Sequence, residues 1–475
     1  MRSVSPLLCF SIASIAVGCG SSPNGPSFGP SSGTASGSRA GSAAGSGVGA
    51  RSGSDAGVLD AGKYGGSPSS GDLVVDPSVP HQTIDGFGAS DVWQGALTAD
   101  QGRLFFDPAN GVGLSILRIG IETDGTPMGS GAFADVKLAA SYGAIVWAAP
   151  WSPPAAAKDN NNVNNGGHLL AASYDSWATT LAAFPATIRQ QTGVELYGIS
   201  AQNEPDFVAS GYESCIYSAA EMVAFVKVLG PKLAALNPPV KLIAAEPDNW
   251  SHMWTSGDRY GVAILADPAA ASAVDVLASH DYAFSAVAPP YSVTKPIWET
   301  EVSGVQGSAQ AGPSTDISNG IAVAQWIQNG LVNGGASAWH YWWLISSNAD
   351  NEGLLLKGGD ITSPPKRLYT TGNFSKFVRP GYRRVDVSGL VPEGVQLAAF
   401  QNPPDATVAI VAINTNGSSL SFPIFVQGTS WPSQVVPWVT SSSANLASQP
   451  AITLTAARFP ATLAAQSVTT FVGKP

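Results

Sequence analysis

The chain has 475 residues, 44% of them apolar and only 12% charged, which is too long for one ordinary domain and too oily for a disordered polymer. A net charge of −10, with 23 scattered Lys and Arg, provides no basic patch for a polyphosphate, so nucleic acid is excluded as a partner. The 52 Gly and 35 Pro are concentrated rather than periodic, which excludes a collagen-like repeat.

Residues 1–18 read as an export signal: Arg2, then an apolar run from Val4 to Gly18 too short to remain in a bilayer as a spanning helix. Small residues Ala16-Val17-Gly18 precede Cys19, which resembles a bacterial lipoprotein signal with Cys19 as the lipidation site. Residues 19–71 are Gly, Ser, Ala and Pro with little apolar bulk and read as a flexible tether, reaching roughly 40 Å. Gly20 after the lipidated Cys resembles outer-membrane sorting, so the expected location is exported, anchored at a bacterial outer membrane or cell surface or secreted. Cys215 is then the one thiol of the folded part, expected as a small core residue.

From residue 84 to about 378, eight short apolar runs alternate with segments of helical period. The strand candidates are Thr83–Gly88, Leu114–Gly120, Ala144–Ala149, Glu195–Ala201, Val240–Ala245, Val274–His280, Pro296–Glu301 and Ala336–Leu344. Ser173–Thr192, Ser218–Leu236 and Ile317–Asn333 have the spacing of helices packed on a sheet, whereas Phe284–Thr294 shows little helical period. This is the pattern of an α/β fold, a (β/α)8 TIM barrel over residues 80–380, whose strand C-termini carry the chemistry. After Arg379-Pro380-Gly381 the pattern changes to short alternating strands: Val395–Phe400, Thr407–Ile413, Leu420–Val426, Gln434–Thr440, Ala451–Leu454 and Ser467–Val472. Residues 381–475 therefore read as an appended antiparallel β-sandwich that draws a further strand from residues 72–79.

Two acids end barrel strands. Glu204, in Gln202-Asn203-Glu204-Pro205, follows the fourth, and Glu301, in Trp298-Glu299-Thr300-Glu301, ends the seventh. Hydrolysis of a glycosidic bond needs one protonated carboxyl for the leaving oxygen and one ionised carboxyl for the anomeric carbon. Strands four and seven face each other across a barrel mouth, so this pair brackets a sugar. Glu299 has the same parity as Glu301, so either the strand is irregular there or Glu299 lies one layer down with its hydrogen bonds satisfied; the strand's last residue, Glu301, is the one that reaches the mouth. Eleven of thirteen Trp lie between 93 and 343; most are core, while Trp151 and one of Trp342 and Trp343 are expected to stack on sugar rings. His280 and Tyr282, ending strand six, are placed to hydrogen-bond a carboxylate. No metal-ligand spacing occurs, no cofactor is implied, and the Asn-rich run Asp159 to Asn165 reads as a solvated loop.

At these residues the chain resembles glycoside hydrolase family 30. The resemblance is carried by Ile84-Asp85-Gly86-Phe87-Gly88, Leu114 to Ile119, Ala149-Pro150-Trp151-Ser152-Pro153-Pro154, Gln202 to Phe207, Trp298 to Glu301 and Phe374 to Tyr382. It continues through Trp438 to Ser443 and Gln466 to Phe471, covering essentially everything after residue 72. It is nearest to the bacterial glucuronoxylanase-like endoxylanases, with a barrel fused to a sandwich built from both chain ends. The resemblance implies a retaining mechanism with Glu204 as acid/base and Glu301 as nucleophile, in preference to Glu299. It also implies that Asn203 binds the 2-hydroxyl of the cleaved sugar and that Trp93, Trp151 and Tyr282 line the cleft. Glucuronoxylan specialists carry an Arg soon after the two Trp of strand eight; here Trp342-Trp343-Leu344-Ile345 runs into Ser346-Ser347-Asn348, and no Arg occurs between Arg259 and Arg367. The loop from Ala349 to Pro365 is also longer than in that subgroup.

The reading is an endo-acting xylanase, expected as a monomer, acting on polysaccharide without dependence on a glucuronate branch. β-1,6-Galactan, β-1,6-glucan and glucosyl substrates stay open within the enzyme class, and a surface carbohydrate-binding lipoprotein is the reading outside it.

Overall fold

The computed structural model describes residues 67–283, 286–304, 312–428 and 432–475. The export signal, Cys19 and all of the tether before residue 67 lie outside the described residues.

Runs that are apolar on both faces suit a parallel sheet covered by helices, and all eight expected barrel strands are present. After an N-terminal strand β1 (Leu73–Thr83), they are β2 (Gly86–Ser90), β3 (Ile116–Ile121), β4 (Ile145–Pro150), β5 (Gly198–Ser200), β6 (Lys241–Ala245), β7 (Val276–His280), β8 (Ile297–Val302) and β9 (Ala338–Ile345). They pair in parallel in that order, and β9 pairs with β2 to close the ring. A short strand β10 (Gly353–Leu355) runs parallel to the end of β9. Side chains alternate in and out with period two: in β7, Val276 and Ala278 pack inside the barrel while Leu277 faces the helical layer. Trp147 and Trp298 fill the interior. A Cβ on Gly88 would lie 2.6 Å from the His340 ring and 2.8 Å from the Ile116 carbonyl, so only glycine admits His340 to this layer.

Three of the longer helices start at capping residues. Thr98 with Gln101 and Ser218 with Glu221 form capping boxes at α-helices Ala99–Phe106 and Ala219–Ala234, and Asp316 caps Ile317–Val332. Helix Tyr174–Thr192 ends at Gly193, whose φ of 76° a β-carbon would strain. Three short helices, Trp250–Trp254, Tyr260–Ala266 and Pro268–Ala273, stand between β6 and β7. Among the described residues no helix separates β7 from β8, as the weak period of Phe284–Thr294 implies.

The C-terminal strands are β11 (Arg383–Ser388), β12 (Val395–Gln401), β13 (Val408–Asn414), β14 (Leu420–Val426), β15 (Gln434–Thr440), β16 (Ala447–Ser448), β17 (Ile452–Thr453), β18 (Arg458–Leu463) and β19 (Ser467–Gly473). The sequence reading lacks β11, β16 and β18. Arg383 and Arg384 open β11 and Pro460 interrupts β18, so both fall short of the β-branched, Pro-free runs that mark a strand. They form one curled sheet in the order β16-β15-β19-β13-β12-β11-β1-β14-β18, with β17 on β15. Among the described residues every pairing in it is antiparallel except that of β1 with β14. Leu73 and Val75 of β1 join Val385, Ile410, Ile424, Phe459 and Phe471 in a single core, which is how the sheet closes on itself as a sandwich.

The opposite face of the same sheet lies on the barrel. Phe400, Val411, Ile413 and Val468 belong to the barrel's own apolar layer, so β13 is buried on both faces. Polar ties fix the contact: Gln328 Nε2 donates to the Leu397 carbonyl at 2.7 Å, and Asn373 Nδ2 donates to the Trp438 carbonyl at 3.0 Å. The described residues accordingly form one compact unit.

Candidate active site

The chain leaves adjacent strands β5 and β6 through two acids in the left-handed backbone region, Glu204 at φ 44° and Glu246 at φ 63°. Neither residue type favours that conformation, and strain of this kind collects at functional sites. It turns both side chains inward; the Glu204 amide donates to the Glu246 carbonyl at 3.0 Å.

Glu301 reaches the same space from β8. Ser279 pairs with Glu299 but His280 pairs with Glu301, so Thr300 is an extra residue in the ladder. The strand is thus irregular, and Glu299 is also satisfied one layer down: its carboxylate accepts from the amides of Glu301 at 3.0 Å and His340 at 3.1 Å. Burial and Asp281 push Glu299 well above the ordinary carboxyl range. Glu301 instead accepts from the Tyr282 hydroxyl at 2.6 Å and from Arg118 Nη1.

Arg118, fully buried in β3, links the group. It donates to Glu301, to Asn203 Oδ1 at 2.6 Å and to Glu246 at 3.3 Å, with its guanidinium 4.9 Å from the Trp151 ring centre and 5.1 Å from that of Trp147. Since Arg118 takes the Asn203 oxygen, the amide nitrogen is the end left to donate elsewhere. His280 lies 3.1 Å from Glu204, 3.6 Å from Glu246 and 3.8 Å from Glu301. Burial opposes its charge, yet Glu301, Glu204 and Glu246 together push it up to about 10, so it is an imidazolium at neutral pH. Burial alone would raise Glu246, but Arg118 and His280 hold it below its ordinary value. For Glu204 burial prevails: its pKa is raised, opposed by His280 and reinforced by Glu301 and Asp248.

One carboxyl oxygen from each of Glu204 and Glu301 and a nitrogen of His280 lie within 4.8 Å of one another. Such a triad has the spacing of a cation site; here its members pair within the protein, His280 with Glu204 at 3.1 Å and Glu301 with Arg118 and Tyr282. A second group of this kind, Asp206, Asp248 and His252, has His252 Nδ1 2.6 Å from Asp206 and 3.0 Å from Asp248 and is satisfied internally as an ion-paired cluster. In the Asn-rich loop, the buried Lys158 ammonium donates to the Val163 and Ser214 carbonyls and to Ser152, so these oxygens are already occupied.

Above the carboxylates stands an aromatic wall. Trp93, at φ 62° and 37% exposed, has its ring centre 5.6 Å from Trp151, 5.7 Å from Tyr212, 6.0 Å from Trp342 and 6.4 Å from Trp343. The sequence reading favoured Trp151 for stacking on sugar; here Trp151 is 2% exposed between Arg118, Trp93 and Trp342, and the indole that faces solvent is Trp93. Trp342 and Trp343 stack on each other at 4.9 Å and are largely buried.

Sequence reasoning brought Glu204, Glu301, Asn203, His280 and Tyr282 to one place, together with the four Trp, but it missed Arg118, Glu246 and Tyr212. Two of these had a signal. Arg118 is the one charge in the apolar run Leu114–Gly120, and Glu246-Pro247 after β6 repeats the Glu204-Pro205 pattern after β5. Tyr212 lies in a loop without period. Cys215 is buried and unpaired, in keeping with a core role.

Two family profiles match this chain: the glycosyl hydrolase family 30 TIM-barrel domain over residues 135–292, and the glycosyl hydrolase family 30 beta sandwich domain over residues 381–471. The glucuronoxylanase XynC of Bacillus subtilis (strain 168) is 33% identical over 419 residues, which span 84% of this chain and 91% of that protein. Among solved structures, the glycoside hydrolase family 30 subfamily 8 xylanase Xyn30A from Clostridium acetobutylicum aligns with a TM-score of 0.74 at 32% identity, over 85% of this chain and all of that one. A family 30 endoxylanase from Clostridium papyrosolvens C71 aligns with a TM-score of 0.71 at 30% identity, with the same coverage.

Proposed function

The chain belongs to glycoside hydrolase family 30, and from that premise we propose that it is a retaining, endo-acting xylanase that does not depend on a glucuronate branch. The observation that carries the mechanism is the approach of Glu204 and Glu301 oxygens to within 4.8 Å. Retaining glycosidases hold their carboxyls ~5–5.5 Å apart, whereas inverting ones need ~6.5–9.5 Å to admit a water.

The surroundings of the two acids support the assignment of roles. Burial raises the pKa of Glu204, which suits the acid, while Glu301, hydrogen-bonded by Arg118 and Tyr282, suits the nucleophile. In the first step Glu204 protonates the glycosidic oxygen while Glu301 attacks the anomeric carbon. The C–O bond to the leaving sugar breaks as the glycosyl ester of Glu301 forms. Glu204, now ionised, takes a proton from water; the hydroxide oxygen bonds the anomeric carbon and the Glu301 carboxylate leaves. Arg118 and Tyr282 keep Glu301 oriented between these steps, and the free end of the Asn203 amide is placed to donate to the sugar's 2-hydroxyl.

The absence of any Arg in the segment following Trp343 supports independence from glucuronate, since a carboxylate branch would be recognised by a guanidinium in charge-assisted contact. Product analysis on unsubstituted xylan beside glucuronoxylan tests this. Comparable cleavage of both is expected; cuts confined to positions set by the branch would overturn it. The enzyme is further read as exported and lipid-anchored at Cys19, with lipid labelling lost in Cys19→Ala as the expected outcome.

A further inference from the structure

We propose that His252 is a positioning residue for Glu204: its imidazole ties the segment after Glu204 to the segment after Glu246 and so fixes where the acid/base carboxyl stands. The inference rests on the retaining-glycosidase reading and deepens it.

The motif is doubled. Glu204-Pro205-Asp206 and Glu246-Pro247-Asp248 leave adjacent strands with the same three residue types, and each Glu is in the left-handed backbone region. Such a conformation persists only where the surroundings over-determine it. After β6 the backbone contributes: the Pro247 carbonyl accepts from the His280 amide at 2.9 Å and the Asp248 carbonyl from the Tyr282 amide at 3.2 Å. That segment is thereby a fixed post. The segment after β5 is tied to it through side chains. Asp206 Oδ1 accepts from the Asp248 amide at 3.0 Å, and His252 Nδ1 lies 2.6 Å from Asp206 Oδ2 and 3.0 Å from Asp248 Oδ1. One imidazole N–H thus stands between two acids that would otherwise repel each other.

The ring is itself held in place. Its helix, Trp250–Trp254, buries Trp250, Met253 and Trp254 in the barrel's apolar layer, and Asn249 Oδ1 accepts from the Ser251 amide at 3.0 Å where the helix begins. A Cβ on Gly257 would lie 2.9 Å from Cδ2 of His252, so glycine makes room for the imidazole. Burial opposes a charge on His252, yet its bond to Asp206 and the charges of Asp206 and Asp248 raise its pKa. The side chains of His252 and Asp248 are 32% and 30% exposed, so their pairing adds little net stability. What the clamp fixes is the relation of two loops, two residues beyond Glu204 on one side and two beyond Glu246 on the other.

The test measures kcat/KM, which reports the step that needs the acid, on xylan and on an aryl xylo-oligosaccharide whose phenol leaves with little protonation. In His252→Leu the value on xylan is expected to fall about tenfold to a hundredfold, the effect of misplacing a reacting group by ~1 Å, and on the aryl substrate by about threefold at most. His252→Asn, whose amide nitrogen takes the place of Nδ1, should recover most of the activity on xylan. Asp206→Asn keeps an acceptor for the Asp248 amide but turns a donor toward His252, and should show the same split between substrates whether or not His252→Leu folds. In the double variant His252→Leu/Asp206→Asn the loss should not exceed that of the worse single variant, because both remove one bridge. Melting temperatures should stay within about 4 °C of the parent's. Equal losses on the two substrates, no loss on either, or no recovery in His252→Asn would overturn the proposal. Glu204→Ala measured alongside separates the two readings. If it falls equally on both substrates, the acid assignment fails and this inference with it; a split there with none in His252→Leu or Asp206→Asn overturns this inference alone.

Discussion

The floor of the barrel mouth and the inner face of the curled sheet both hold side chains hidden from water, and they are made of opposite materials. Arg118, Glu246 and His280 are wholly buried at the mouth; Ile410, Ile424 and Phe471 are wholly buried in the sheet. Burying an apolar side chain stabilises by about 1.5–3 kcal/mol. Burying a charge is unfavourable unless partners replace its water, and even a well-paired set adds little net stability. The comparison teaches that the sheet and the barrel walls hold the molecule together, while the mouth uses part of that stability to keep three acids and two cations in one dry space. Substitutions at the mouth should therefore be read in rates and pH profiles, and substitutions in the sheet in melting temperature.

The largest expected effect breaks the mouth alone. Glu301→Gln should abolish turnover by more than the roughly 10²–10⁴-fold that general acid catalysis supplies, with the fold retained by circular dichroism. Glu204→Ala should lose about that amount on xylan but far less on an aryl glycoside with a good leaving group, which needs little protonation. Equal losses on both substrates would remove Glu204 from the acid role. In the sheet, Phe471→Ala should destabilise by about 3–5 kcal/mol, measured by denaturant unfolding, through the cavity it leaves against Phe459. The kcat of its folded fraction should stay at the parent's value; a parallel fall in kcat would mean that the two regions are not separable.

His280 joins the two kinds of readout. Its pKa is about 10 in the fold against an ordinary 6.5, so its contribution to stability is complete below about pH 6.5 and is lost as pH rises through 10. The melting-temperature gap between parent and His280→Gln should accordingly be widest near pH 6.5, narrow as pH rises from there and close toward pH 10. A gap independent of pH would show that the imidazolium is not what holds Glu204, Glu246 and Glu301 together.

Period made the barrel legible, since its strands are short apolar runs, most of them separated by segments of helical period. Glu204 and Glu301 were legible because an acid at the end of a buried strand has no packing reason to be there. The sheet was less so: β11 and β18 carry Arg and Pro at positions where an edge or half-exposed strand tolerates them, and only three-dimensional pairing with β1, β12 and β14 makes them strands. The bulge at Thr300 lay beyond any sequence rule, because register belongs to two strands at once. Arg118 could have been read, as a charge inside a fully apolar run demands a buried partner. Trp93 illustrates the limit: which of several indoles stays exposed depends on how four rings pack, not on where each stands in the chain.

The smallest expected effect sharpens the comparison most. Asp248 lies outside the reacting pair, its carboxylate held by Asn249 Nδ2 at 2.6 Å and by His252, and its carbonyl accepting the Tyr282 amide at 3.2 Å. Its negative charge helps raise the Glu204 pKa. Asp248→Asn preserves the shape and removes the charge, so the Glu204 pKa should fall and the alkaline limb of kcat/KM should move to lower pH, with little change in kcat at the acid side. The matched change in the sheet is Asp386→Asn, which deletes a partner 3.3 Å from His81 on an exposed surface and should leave the profile where it was. If Asp386→Asn shifted the limb as far as Asp248→Asn does, the field at the mouth would belong to the net charge of the whole chain rather than to the groups packed around Glu204.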